Sequence, residues 1–157
     1  MTVSRLVKLF NECDKHLKRL NHAAAKMNLF MSLNADRYLA LSEDEIEHID
    51  QFLFRFAKLQ DTIGEKLFIS ILEYLQEENP KSKPFIDILN RLEQIELLED
   101  KNNWLLLREI RNNIAHQYED EPKQASEALN AIYNARPNLE TVYFSLKNRY
   151  AFDIPLS

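Results

Sequence analysis

The eleven residues from Arg108 to Tyr118 gather two arginines, an acid, two asparagines, a histidine and a tyrosine: Arg108-Glu109-Ile110-Arg111-Asn112-Asn113-Ile114-Ala115-His116-Gln117-Tyr118. A histidine gains or loses a proton near neutrality, and an arginine stays charged and grips phosphate oxygens with two parallel donors. Together they supply what phosphodiester cleavage without a metal demands: a base for a hydroxyl, a proton for the leaving oxygen, and a cation for the charge that builds on phosphorus. At about 100° per residue, Leu107, Ile110 and Ile114 make one apolar stripe of a helix. Arg108, Glu109, Asn112 and His116 fall on the opposite arc, with Arg111 and Tyr118 at the border. Arg111 and His116 stand five residues apart, so a regular helix aims them about 140° from one another. Both meet one substrate only if the helix ends there, if the side chains reach around, or if a second copy contributes. Asn112, one turn before His116, is placed to orient the imidazole or to hold phosphate, and Arg108 to add a second cation. Each residue also has a plainer use. His116 can be satisfied by the last carbonyls of a helix, Arg111 can pair with an acid such as Glu119, and Tyr118 can pack at the rim of a core.

Taken jointly, Arg111, Asn112, His116 and Tyr118 spell R-N-x-x-x-H-x-Y, preceded by the aromatic and apolar run Trp104-Leu105-Leu106-Leu107. This resembles the R-x4-6-H signature of HEPN-domain ribonucleases, in the extended form of the HepT branch, the toxins of HEPN/MNT toxin-antitoxin systems. Phe54-Arg55-Phe56-Ala57-Lys58-Leu59-Gln60-Asp61 is similar to the second helix of HepT-like chains. The resemblance implies an antiparallel four-helix bundle with additional short C-terminal helices. It also implies endoribonuclease activity that leaves a 2′,3′-cyclic phosphate or its hydrolysed form, with Arg111 and His116 catalytic in a homodimer and no cofactor. Its implied partner is an MNT-type nucleotidyltransferase antitoxin, which adds AMP to the residue at the position of Tyr118. Two other classes stay open: a noncatalytic substrate-binding subunit of a nucleotidyltransferase, and a structural helical adaptor. The sequence departs from an RNA-binding pattern after Tyr118, where Glu119-Asp120-Glu121 is strongly acidic.

Composition narrows the field around this stretch. With Gly64 as the one glycine, neither a G-x-G-x-x-G fingerprint nor a phosphate-binding P-loop can be written. Few turn formers and many Leu, Glu, Lys, Asn and Ala residues point to an all-α chain, and the length fits a single domain over 1–157. Cys13 stands alone, so the chain forms no internal disulfide, which suits a reducing, cytoplasmic setting; Cys13 reads as a small core residue. No apolar run reaches the length of a membrane span. A net charge of −5 argues against a nonspecific nucleic-acid coat and makes any RNA contact local. Glu45 and His48 have the Glu-x-x-His spacing of di-iron bundles, but no second such pair exists, so no metal site is expected.

The elements that must position the motif follow from periodicity. A first helix is expected over 4–31, with Leu6, Phe10, Cys13, Leu17, Leu20, Ala24 and Met27 inward and Lys8, Lys15, Arg19, His22 and Lys26 outward. Arg5, Lys8, Lys15, Lys18, Arg19 and Lys26 against Glu12 and Asp14 give this helix six basic side chains to two acidic ones. That is either a solvated face or a strip that guides an RNA backbone. After a connector over 34–41, Ser42-Glu43-Asp44-Glu45 reads as a capping box opening a helix that continues to about Gln76, bent at Gly64. Its apolar arc is wide enough for a central position or for contact with a second chain, the other reason to expect a dimer. A helix over 85–98, the motif helix over 103–117, and two short helices, 122–135 and 139–149, separated at Pro137, complete the expectation.

Overall fold

The computed structural model describes residues 2–117 and 121–150, with the side chains of residues 2 and 115–117 outside the description. Among the described residues the chain is helical throughout and contains no strand. Among these residues no helix is long and apolar enough to cross a membrane.

Helix α1 (Thr2–Met27) buries Leu6, Leu9, Phe10, Cys13, Leu17, Leu20, Ala24 and Met27 along one face, at the helical spacing read from the sequence. Lys8, Lys15, Arg19, His22 and Lys26 are exposed on the other face. The helix stops four residues before the expected Met31, because the chain turns there to bring Phe30 and Leu33 into the core. Asn130 holds that turn like a strand partner: Leu33 N–H donates to its Oδ1 and its Nδ2 donates to Leu33 O, both at 2.8 Å. The segment expected as a connector contains a short helix, α2 (Ala35–Leu39), whose first turn is capped by Asn34 Oδ1 accepting from Arg37 N–H at 2.9 Å.

Helix α3 (Glu43–Thr62) opens with the capping box: Glu45 N–H donates to Ser42 Oγ at 3.1 Å and Ser42 N–H to Glu45 Oε1 at 2.9 Å. The chain continues through a π-turn (Ile63–Leu67) into α4 (Phe68–Tyr74), so the long second helix is present but is not one uniform α-helix. Its wide apolar arc is used inside the chain: Ile49, Phe52, Phe56, Leu59, Ile63, Leu67, Phe68 and Ile71 are all fully buried. This helix takes the central position, packing against α1, and its apolar breadth therefore gives no argument for a second chain. Phe54 stays half exposed and carries the cations of Arg55 and Lys58 over its ring.

After a 3-10 turn (Pro80–Ser82), α5 (Phe85–Gln94) buries Ile88, Leu89 and Leu92. It ends short of the expected Leu98 because Glu96 takes a left-handed φ of 62°, so that Leu97 N–H reaches back to Leu92 O at 2.8 Å and Leu97 and Leu98 turn inward. Helix α6 (Lys101–Gln117) carries the motif and α7 (Pro122–Tyr150) packs along it.

The expected pair of short C-terminal helices is corrected to this single 29-residue helix, with Pro137 inside it. A proline within a helix costs about 3 kcal/mol, through a missing hydrogen bond and a clash one turn earlier. Pro137 sits on an exposed position, and burial on both sides of it outweighs the cost: Leu129 and Ile132 before it and Leu139, Tyr143 and Leu146 after it are almost completely buried. Asn138 and Asn103 exchange amide hydrogen bonds beside it, tying α7 to α6.

Candidate functional site

Four residues of α6, Trp104, Arg108, Arg111 and Asn112, recur at intervals of four, three and one and so share one side of the helix. They line a cleft of about 380 Å³ whose other wall comes from the end of α3 and the π-turn, with Gln60, Asp61, Gly64 and Glu65, and from the start of α5, with Phe85. Such a volume falls within the ordinary range for small-molecule sites, about 300–1,000 Å³.

The π-turn and its glycine explain how the two walls approach. A Cβ at Gly64 would stand 3.0 Å from Cζ2 of Trp104, so close that the ring would have to give by a few tenths of an ångström. Glycine here costs about 1 kcal/mol relative to alanine in a helix, and in return the indole packs closely against the backbone. Trp104 is 1 % exposed and meets Phe68 edge-on, with ring centroids 4.9 Å apart. π-turns of this kind are frequent at functional sites.

Arg111 lies at the cleft with one donor committed: its Nη2 donates to Asp61 Oδ2 at 2.9 Å. Its Nη1 stands 3.5 Å from Asn112 Oδ1, the outer limit of a hydrogen bond, and its Nε is buried without a partner among the described residues. The acid that meets Arg111 is thus Asp61 of α3. Both side chains of that ion pair are more than a third exposed, which puts its contribution to stability at about 0.2–1 kcal/mol. Arg108 lays its guanidinium over the Phe85 ring at 4.8 Å, which presents a flat cationic surface at the mouth of the cleft. The walls therefore carry two guanidinium groups and two carboxamides, together with two carboxylates, Asp61, which meets Arg111, and Glu65.

His116 sits on the last turn of α6, one turn beyond Asn112, and its side chain lies outside the description. Tyr118, expected as the site of modification, and Glu119 lie outside the described residues. Arg108, Arg111 and Asn112 are the sequence candidates that the structure brings together. Gln60, Asp61, Gly64, Phe85 and Trp104 were not assigned to the site by sequence. One signal could have pointed to Gln60: on the wheel it falls between Ile49 and Leu53, about 20° from each, where a polar residue requires a reason. The basic residues of α1 stay on an exposed face of a helix that packs against α3, α4 and α7. Comparison with family models, curated proteins and solved structures finds no match to this chain.

Proposed function

We propose that the chain is a metal-independent endoribonuclease of the HEPN type, a four-helix bundle that acts as a cytoplasmic homodimer and serves as the toxin of a toxin-antitoxin pair. The observation that carries this reading is the position of Arg111: the residue that the motif makes the phosphate-binding cation lines a cleft with Arg108 and Asn112 beside it. In the reaction assigned to the site, His116 takes the proton of a ribose 2′-hydroxyl and the 2′-oxygen attacks the adjacent phosphorus. The bond from phosphorus to the 5′-oxygen breaks, and that oxygen leaves with a proton from the protonated His116 of a second copy. Arg111 stabilises the additional charge on the phosphorane, and the products are a 2′,3′-cyclic phosphate and a 5′-hydroxyl.

The decisive measurement uses purified protein and a single-stranded RNA. Wild type is expected to cut, with Arg111→Ala and His116→Ala lowering the rate at least about a hundredfold at unchanged helicity, and with EDTA having no effect. Cleavage by both variants that stops on chelation would assign the activity to a metal nuclease. Sedimentation at micromolar concentration is expected to give a dimer, and a strict monomer rejects the shared site. An MNT-type nucleotidyltransferase is the proposed antitoxin, adding AMP to Tyr118. Each added phosphodiester brings about one negative charge and competes with RNA for the donors of Arg111. Coexpression followed by peptide mass spectrometry tests this: Tyr118→Phe is expected to escape both modification and neutralisation. An unmodified Tyr118 in a neutralised complex would mean that the partner occludes the site instead.

A further inference from the structure

The cleft contains polar groups that the fold itself leaves without partners. Gln60 is 3 % exposed, lines the cleft, and finds no hydrogen-bond partner among the described residues for either its amide oxygen or its amide nitrogen. The indole N–H of Trp104, on the facing wall, is buried and equally unpartnered. Arg111 Nε, at the same cleft, is a fourth such atom; each is closed off from solvent as well as unpartnered among the described residues, which destabilises the fold unless something else completes it. The cost could be avoided by a leucine of similar size at position 60. A glutamine there, on an otherwise apolar arc, makes sense if something else completes its hydrogen bonds.

We infer that the cleft is a recognition pocket for one nucleobase of a single-stranded RNA, with Gln60 as its specificity-determining residue. Turned into the cleft, the Gln60 carboxamide presents a donor and an acceptor side by side in one plane, which matches the edge of a base that offers the complementary pair, as a glutamine does with adenine. Unpaired RNA bases are bound by planes of this kind, aromatic rings and guanidinium groups, and the stacked Phe85 and Arg108 provide both. Arg111, at the same cleft, then lies within a nucleotide's reach for the attached phosphate. The unpaired carboxamide confers selectivity through loss: a base that cannot complete it leaves the group buried and unsatisfied.

The assignment of the base to an RNA rests on the ribonuclease reading, whereas the pocket does not, and the test separates them. Trp104 is the chain's single tryptophan, so its fluorescence reports on the cleft without any need for catalysis. Full-length protein is titrated with AMP, GMP, CMP, UMP and inorganic phosphate. The expected result is saturable fluorescence change, with one base bound roughly tenfold or more tightly than the weakest and inorganic phosphate weaker than the preferred nucleotide. Gln60→Leu is expected to keep or raise the melting temperature, because it removes two orphaned atoms, and to abolish the preference among bases. His116→Ala is expected to keep the preference while losing cleavage. Equal binding of all four nucleotides, no saturable change, or a Gln60→Leu protein that loses stability yet retains the preference would overturn the inference. If the base preference holds and wild type cuts no RNA, the pocket stands and the ribonuclease reading falls. RNA cleavage whose sequence preference survives Gln60→Leu does the reverse.

Discussion

Asp61 Oδ2 and Arg111 Nη2 meet at 2.9 Å, joining α3 to α6 across fifty positions of sequence. The pair fixes the direction of the guanidinium while leaving Nε and most of Nη1 uncommitted. Asp61→Ala is therefore expected to change stability by no more than about 1 kcal/mol, given the exposure of both side chains. RNA cleavage should fall through kcat, because the cation loses its aim, and Asp61→Asn should recover part of it by keeping an acceptor. Steady-state kinetics and urea denaturation measure the two effects. Faster cleavage by Asp61→Ala would show instead that the carboxylate competes with phosphate for Arg111.

Gly64→Ala tests how closely α6 must approach the π-turn. The intrinsic gain of alanine in a helix, about 1 kcal/mol, is set against a methyl group 3.0 Å from the Trp104 ring, and overpacking of this kind costs about 1–3 kcal/mol. The neighbour is a buried indole ring in edge contact with Phe68, not the end of a flexible side chain, so the net effect is expected to be destabilising. The denaturation midpoint and a shift in Trp104 emission check this, and a more stable variant would reject the packing argument.

His16 on α1 carries a pH dependence of its own. Arg55 Nη1 donates to His16 Nδ1 at 3.0 Å, which requires a neutral imidazole with its proton on Nε2, toward Glu12 at 3.7 Å. Burial first, and the Arg55 charge second, hold its pKa below the ordinary value, outweighing the pull of Glu12 in the other direction. In the window between the depressed folded pKa and the unfolded value near 6.5, the unfolded chain binds the additional proton. Stability should thus fall as pH drops through that window, and His16→Gln should flatten this acid limb. Urea midpoints between about pH 7.5 and 5 measure it. An unchanged slope in the variant would assign the pH dependence to other groups.

Cys13 should be chemically silent while the chain is folded. Its thiol is fully enclosed, and burial, aided by Glu12 and Asp14, pushes its pKa up to about 12, so thiolate is scarce at neutral pH. A thiol-specific reagent is expected to react slowly with the native protein and with one equivalent per chain in denaturant. Fast reaction of the native protein would place the sulfur nearer the surface.

Sequence periodicity located the helices well where one face was apolar, as in α1 and α3, and the Ser42–Glu45 capping box fixed a start to the residue. It failed at Pro137, where a local rule against proline was outweighed by distant contacts of Leu139, Tyr143 and Leu146 that no local pattern reveals. It also stopped α5 too late, since the left-handed turn at Glu96 uses a residue with no special propensity for it. Of the candidate site, the α6 wall was legible because Arg108, Arg111 and Asn112 are neighbours in sequence. The facing wall was not: Gly64 and Glu65 join it through a backbone irregularity just beyond Gln60 and Asp61, and Phe85 through the packing of a third helix.

That irregularity has a genetic consequence. A π-turn takes up one additional residue within an α-helix, absorbing about 100° of rotation so that the helix on either side keeps its faces aligned. Without it, Phe68, Ile71 and Leu72 would point well away from the face of Phe52, Phe56 and Leu59, yet all six are buried. Glu65 and Lys66 within it are exposed, and neither is part of the core. Losing a single in-frame codon here would let 43–74 run as one regular α-helix with both apolar arcs still facing inward and Gln60 and Asp61 still opposite Arg111. The gene can thus lose one codon at this point without turning either face of the helix.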